Sequence, residues 1–256
     1  QEEPCEGAAM RHVVEVEGLR PDWVVLGEPT NLQLARGQRG RIEFEVTVRG
    51  KAAHASAPHR GVNAIYNAAR VIVGLELLAP QLNADSFLGK GSIAVTEIAS
   101  LSGSRNAVPE ACTLVVDRRL TNGETEAKAT AEIKRVLARE SVDATIRVPE
   151  YCVPSYTGYE VCARQHFPYW ATPVNDPLLT TASGVVEDVL GYVPHLGKWE
   201  FSTDGVYTSG VAGIPTIGFG PGEERYAHTA EEQVRLDDLA SAAQVYAGLA
   251  ARLLRG

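Results

Sequence analysis

The ten residues RIEFEVTVRG, 41–50, alternate without a break: Ile42, Phe44, Val46 and Val48 fall on one side, Glu43, Glu45, Thr47 and Arg49 on the other. Successive strand side chains point to opposite faces, so this stretch is a strand with one apolar and one polar face. Beyond it the chain runs through a fixed order of elements. GVNAIYNAARVIVGLELLA spaces Val62, Ile65, Ala69, Ile72 and Val73 at helical intervals. GSIAVTEIAS and ACTLVVDRRL read as strands, GETEAKATAEIKRVLARES as a helix with Ile133, Val136 and Leu137 inward, and DATIRVP as a closing strand. Strand, helix, strand, strand, helix, strand is the order of a ferredoxin-like α+β sandwich, expected over residues 41–153.

The flanks show another pattern. PDWVVLGEPT and GIPTIGFGPG each hold a short continuous apolar run that breaks into Gly and Pro, as buried strands of an α/β sheet do. The tail RLDDLASAAQVYAGLAARLLRG puts Leu239, Ala243, Tyr246, Ala250 and Leu253 on one helical face. These features predict an α/β domain built from residues 1–40 and 154–256, with the 41–153 unit inserted into it.

Composition narrows the partners. Against 24 Lys and Arg stand 32 Asp and Glu, a net charge of -8, which argues against nucleic acid or an anionic membrane and for a small molecule or peptide. No apolar run reaches the ~18 residues of a membrane span. Cys5, Cys112, Cys152 and Cys162 form no C-x-x-C pair, so the simplest expectation is reduced thiols in the cytoplasm. The absence of an initiator Met suggests a fragment.

Four acidic or imidazole positions stand out: the adjacent Glu2 and Glu3, Glu28 in GEPT, and His228 in ERYAHTAEE. Glu28 and His228 each come just after an expected buried strand, and ligands of open α/β sheets collect at such carboxyl ends. Oxygen and imidazole donors suit a borderline cation such as Zn²⁺, with Mn²⁺ or Co²⁺ as substitutes. Each residue also has a bland reading, a turn for Glu28 before Pro29 and a surface loop for His228. GFGPG lacks the spacing of a dinucleotide loop and reads as a flexible segment leading to His228, with a hint of close backbone approach to a ligand.

Five ordered stretches, QEEPCEG, GEPTNLQLARGQRGR, VRGKAAHASAPHRGVNAI, SRNAVPEACTLVVDRRL and GFGPGEERYAHTAEE, resemble the co-catalytic zinc amidohydrolases that include acetylornithine deacetylase, succinyl-diaminopimelate desuccinylase, carboxypeptidase G and the aminoacylases. DRRLTNGET, VPSYTG, FSTDG and IPTIGFGPG look closer still to a subgroup of hydrolases linked to selenium metabolism or purine catabolism. The resemblance implies a partial zinc-exopeptidase-like α/β catalytic domain with an inserted ferredoxin-like lid and dimerisation domain. It implies Glu2 as the general base, and Glu3, Glu28 and His228 as ligands of two divalent ions. His54 in AAHAS corresponds to the lid histidine that stabilises the oxyanion in the partner subunit's site. Asn106 and Arg119 match lid positions that hold the oxyanion and the substrate carboxylate, and Thr203 and Asp204 lie where the family shapes its pocket. The expected reaction is hydrolysis of an amide bond in a peptide or N-acyl amino acid, by a homodimer formed through the lid.

One departure is large. The family's histidine-x-aspartate motif and bridging aspartate have no counterpart here, so this chain is expected to bind metal poorly and not to turn over. The alternative from another class is a non-catalytic relative serving dimerisation or ligand binding. A metal-free hydrolase using Glu2 and Glu3 is weaker, because backbone neighbours are badly placed to flank a glycosidic bond.

Overall fold

A computed structural model describes residues 5–254. The chain divides into two compact units, 40–167 and the residues on either side of it.

In the 40–167 unit the alternating stretch forms the strand Gly40–Arg49, whose ladder with Ala111–Leu120 runs from Gly40↔Leu120 to Arg49↔Ala111. Ser92–Leu101 flanks this pair on one side and Ala144–Arg147 on the other, all antiparallel. Taken in chain order, the fourth, first, third and second strands lie side by side, which is the ferredoxin-like sandwich. Helices Ala64–Leu78 and Glu126–Arg139 start where side chains replace missing backbone partners. Asn63 Oδ1 accepts the Ile65 and Tyr66 N–H groups, and Thr125 Oγ1 accepts that of Lys128. Phe44, Val46 and Leu114 from the sheet pack against Ala68, Val71 and Leu75 of the first helix and Ile133 and Val136 of the second.

The first helix is turned from the face its periodicity suggests. Ala64, Ala68, Val71, Gly74 and Leu75 are buried, whereas Val62, Ile65 and Val73 are exposed. The small residues win because they let the helix lie close: a Cβ on Gly74 would meet Val136 at 2.5 Å. The larger apolar residues are left on an outer face with Tyr66, Val73 and Leu77 at 72%, 53% and 57% exposure.

Arg118 occupies a core-facing position of its strand, continuing the register of Cys112, Leu114 and Val116. Its guanidinium pairs with Glu124 at 2.5 Å and Glu132 at 3.1 Å, all three side chains buried. Glu124 also accepts the Thr121 N–H at 2.9 Å, so the charges are hydrogen-bonded as burial demands.

Past residue 153 the chain stays with this unit. Glu150–Pro154 and Glu160–Arg164 form a hairpin, and His166–Phe167 pairs with Arg41–Ile42. The boundary read from sequence at 153 therefore lies at 167 in the structure. Cys152 and Cys162 face each other across the hairpin with Cα atoms 4.1 Å apart and are joined as a disulfide, which corrects the expectation of reduced thiols. Cross-strand register, invisible in sequence spacing, brought them together. Cys5 and Cys112 are free and buried.

In the other unit Val24–Leu26 and Thr216–Gly218 pair in parallel, so both runs end at the same edge of the sheet. Leu34–Gln38 lies beyond Thr216–Gly218 and is joined by Leu196–Trp199 and Trp170–Ala171. Val24–Leu26 is half-buried rather than fully buried, because among the described strands it stands at the end of the order. Helix Pro177–Leu190 is capped by Asp176, whose Oδ1 accepts the Leu178 N–H, and stops at Gly191, whose φ of +79° suits glycine. Helix Leu236–Leu253 packs beside it through Ala242, Val245 and Leu249, one residue round from the face read in the sequence. No described helix is long and apolar enough to cross a membrane.

Candidate active site

The paired strands Val24–Leu26 and Thr216–Gly218 lead directly into the two loops that carry Glu28 and His228. The loops are laced together at their start. Phe219 N–H donates to Leu26 O at 3.0 Å, Asn31 N–H to Gly222 O at 2.7 Å and Leu32 N–H to Gly220 O at 3.0 Å. Thr30 Oγ1 donates to Gln33 O and accepts the Gly220 N–H. A Cβ at Gly220 would lie 2.4 Å from the Glu28 carbonyl oxygen, so only glycine lets the backbones approach this closely. GFGPG is thus a hydrogen-bonded seam at its beginning, not the flexible segment read from its glycines.

Trp199 pins the same turn. Its indole N–H donates to Pro29 O at 2.8 Å, and its ring lies against Gly218, where a Cβ would come within 1.9 Å of the ring. Sequence reasoning missed Trp199 and Thr30 as supports of Glu28; the Gly-Phe-Gly rhythm was the one signal that pointed to them.

Glu28 is half-buried, and His228 is exposed with φ of +59°. Left-handed backbone is uncommon outside glycine, though histidine tolerates it better than branched residues. Its N–H donates to Glu232 Oε2 at 3.3 Å. A cleft of about 400 Å³ lies beside both residues, lined by Gly27, Pro29, Glu223, Tyr226, Ala227 and Glu232 among others.

Glu2 and Glu3 lie outside the described residues. Just after them, Cys5 is fully buried and Gly7 N–H donates to Asp204 Oδ1 at 2.8 Å. Burial raises the Asp204 carboxyl above its ordinary value, and the Gly7 hydrogen bond opposes that shift. Thr203 beside it is buried and donates to Gln38 Oε1 at 2.6 Å. FSTDG therefore carries one residue tied to the central strand and one tied to the segment just after the glutamate pair.

In the 40–167 unit, Ala53–His54 pairs with Ala107–Val108, and Ala55 N–H donates to Asn106 O at 2.8 Å. His54 and Asn106 thus stand beside each other on a two-stranded ribbon, both exposed. Ser56 N–H donates to His54 Nδ1 at 3.1 Å, and the Ser56 hydroxyl contacts the same nitrogen at 2.7 Å. With Nδ1 serving as acceptor, the neutral ring carries its proton on Nε2. Arg119 is engaged elsewhere: its Nε donates to Asp117 Oδ1 at 2.7 Å, and Asp117 also takes Arg41. That is the strand-surface ion pair a lone arginine there would make.

The donors of Glu28 and His228 are of the type a borderline divalent ion accepts, but a zinc site takes three or four protein ligands. Glu3, the third expected here, is not described. Among the described residues, the three-ligand group within mutual reach is Cys152, Glu160 and Cys162, in the other unit.

Residues 36–145 match the peptidase dimerisation domain of the M20 family. The uncharacterized protein YgeY of Escherichia coli K12 is 40% identical over 249 residues, 97% of this chain and 62% of that protein. A succinyl-diaminopimelate desuccinylase of Alkalilimnicola ehrlichii is 25% identical over 260 residues, covering 97% of this chain and 64% of the enzyme. The chain spans somewhat less than two thirds of these relatives. In fold it is similar to a tripeptidase from Staphylococcus aureus, with TM-score 0.73 and 18% identity over 98% of this chain and 62% of that one. It is also similar to an M20 family metallo-carboxypeptidase from Sulfolobus solfataricus, with TM-score 0.66 and 15% identity over 94% and 65% of the two chains. Residues 36–145 thus carry the match to the M20 dimerisation domain, and the mixed α/β fold of the chain is similar to that of M20 family peptidases.

Proposed function

We propose that the protein is a metal-dependent hydrolase that cleaves the amide bond of a peptide or N-acyl amino acid. The observation that carries this reading is the delivery of Glu28 and His228 to one sheet edge on loops laced by Thr30 and Gly220. In it, Glu3, Glu28 and His228 hold divalent ions, Zn²⁺ first and Co²⁺ or Mn²⁺ as substitutes, which when bound activate a water and polarise the scissile carbonyl. Glu2 takes the proton and delivers it to the leaving amine. His54 donates its Nε2 proton to the developing oxyanion, assisted by Asn106. Arg119 recognises the substrate carboxylate, which requires it to exchange Asp117 for substrate.

The homodimer belongs to the same reading. The outer apolar face of helix Ala64–Leu78 is uncovered, as are Ile98 and Leu101 on Ser92–Leu101, the strand that ends the sheet. An apolar helix face beside an open strand edge favours a second copy of the unit as its cover. A cytoplasmic location completes the proposal.

The test is a mixing experiment, run on a chain that also carries the histidine-x-aspartate motif and bridging aspartate that the resemblance implies. Glu2→Gln should keep its metal content and lose kcat by roughly 10²–10⁴-fold on acyl amino acids or dipeptides. His54→Ala should lose rate and remain dimeric. Heterodimers of the two should regain activity if His54 acts in the neighbouring subunit; no recovery in verified heterodimers removes that claim. Dimers with neither metal nor turnover in the unmutated enzyme would leave the non-catalytic alternative.

A further inference from the structure

The hairpin Glu150–Pro154/Glu160–Arg164 plays no part in the hydrolase reading, yet its outer face gathers reactive groups. Register places Glu150 opposite Arg164, Cys152 opposite Cys162 and Pro154 opposite Glu160. The strand period of two puts Cys152, Cys162 and Glu160 on one side, and all three are exposed. Their ligand atoms lie within 4.8 Å of one another, with Cys162 Sγ 3.9 Å from Glu160 Oε1. Arg164, the nearby cation, has its charge taken by Glu126 through two hydrogen bonds of 2.5 and 2.6 Å.

We propose that this face is a redox-gated site for a thiophilic divalent cation of the zinc and cadmium class. In the oxidised state the Cys152–Cys162 bond occupies both sulfurs. A dithiol reductant attacks the exposed disulfide: the S–S bond breaks, two electrons and two protons pass to Cys152 and Cys162, and the reductant leaves as its own disulfide. Binding of the cation then releases both thiol protons, and the metal is held by two thiolates and the Glu160 carboxylate, with a fourth position open. Softness selects the metal class: two sulfurs favour zinc or cadmium over magnesium or calcium.

The hairpin does not need its disulfide to stay closed. Five consecutive residue pairs join the strands, and Tyr151, Val153, Val161 and Ala163 turn half-buried to the other side. A cross-link across so short a loop removes little entropy from the unfolded chain compared with one closing a long loop. The dithiol form therefore keeps the strand register that sets the two sulfurs beside Glu160.

The experiment titrates Cd²⁺ into the chain before and after reduction with a phosphine, which is removed first, and monitors the thiolate-to-cadmium charge-transfer absorption. Carboxylates and histidines give no such band, so ions held by Glu28 or His228 stay silent. The expected result is one thiolate-bound Cd²⁺ per reduced chain, none in the oxidised chain, and none in Cys152→Ser or Cys162→Ser. Glu160→Gln should keep the band and weaken binding by roughly tenfold. Should a cysteine variant fail to fold, alkylating the exposed thiols of the native reduced protein while Cys5 and Cys112 stay buried serves the same end. A reduced chain without the band, a band that survives loss or alkylation of Cys152 and Cys162, or unchanged affinity in Glu160→Gln overturns the proposal.

Discussion

The sheet of the 40–167 unit rests on three strands of ten residues, two of them paired along their whole length. The sheet of the flanking unit joins strands of two to five residues drawn from both ends of the chain. The first is held by long ladders and a continuous core between one sheet face and two helices. The second depends on a few tight contacts, with Trp199 seated on Gly218 and Trp170 against Gly205. A long ladder spreads its stabilisation over many residues, whereas a short-stranded sheet concentrates it where backbone and ring meet. The expected active-site loops sit on the second kind of construction, so their geometry hangs on single glycines and single hydrogen bonds.

Three perturbations probe that difference. The largest effect is expected inside the robust unit, at its one concentrated feature. Arg118→Ala leaves Glu124 and Glu132 buried without their cation and should cost ~3–5 kcal/mol in urea unfolding. Replacing all three residues with apolar ones of similar volume should recover most of that loss. A single-variant cost near zero would show that this core tolerates charge as the ladder tolerates sequence change. Next, Gly218→Ala must push Trp199 off its seat and should cost about 1–3 kcal/mol, with the indole–Pro29 hydrogen bond broken and tryptophan fluorescence shifted. Unchanged fluorescence would mean that the turn before Thr30 is not held by the ring.

The smallest effects are in pH, and they run in opposite directions in the two units. Burial raises the Asp204 carboxyl above 3.8, so its ionisation opposes folding: stability from this group is present in acid and declines as pH rises through the raised value. Asp204→Asn, which keeps an oxygen for the Gly7 N–H, should therefore be at least as stable as the parent at pH 7, with the advantage fading in acid. The Arg164 hydrogen bond holds Glu126 below 4.5, against an opposing burial effect, so its contribution is present above that value and is lost as pH falls through the lowered one. Glu126→Gln should destabilise at pH 7 and be silent in acid. Unfolding curves of both variants between pH 3 and 7 check the signs; parallel profiles would refute the contrast.

The legibility of the sequence runs along the same divide. Alternation in RIEFEVTVRG and ACTLVVDRRL was readable because a strand's burial pattern repeats every second residue whatever it packs against. The helix after it misled: both of its sides are apolar, and period alone does not say whether alanines or larger residues face the sheet. Among candidate site residues, Glu28 and His228 were legible as punctuation after apolar runs. The Ser56 contacts that set the His54 tautomer are local to AAHAS but depend on loop geometry, and the Asp117 pairing of Arg119 is hidden in side-chain direction.

By itself the sequence determined the periodicities, and with them the order of strands and helices in the inserted unit, because these depend only on neighbours along the chain. It also carried the ordered motifs on which the resemblance to zinc amidohydrolases rests. Tertiary structure alone decided which residues from distant segments meet: Trp199 with Pro29, Gly7 with Asp204, Arg118 with its two glutamates. Cross-strand register decided that Cys152 would face Cys162. Such meetings rest on register and close packing between segments, and no local pattern encodes the distance between two parts of a chain before the chain has folded.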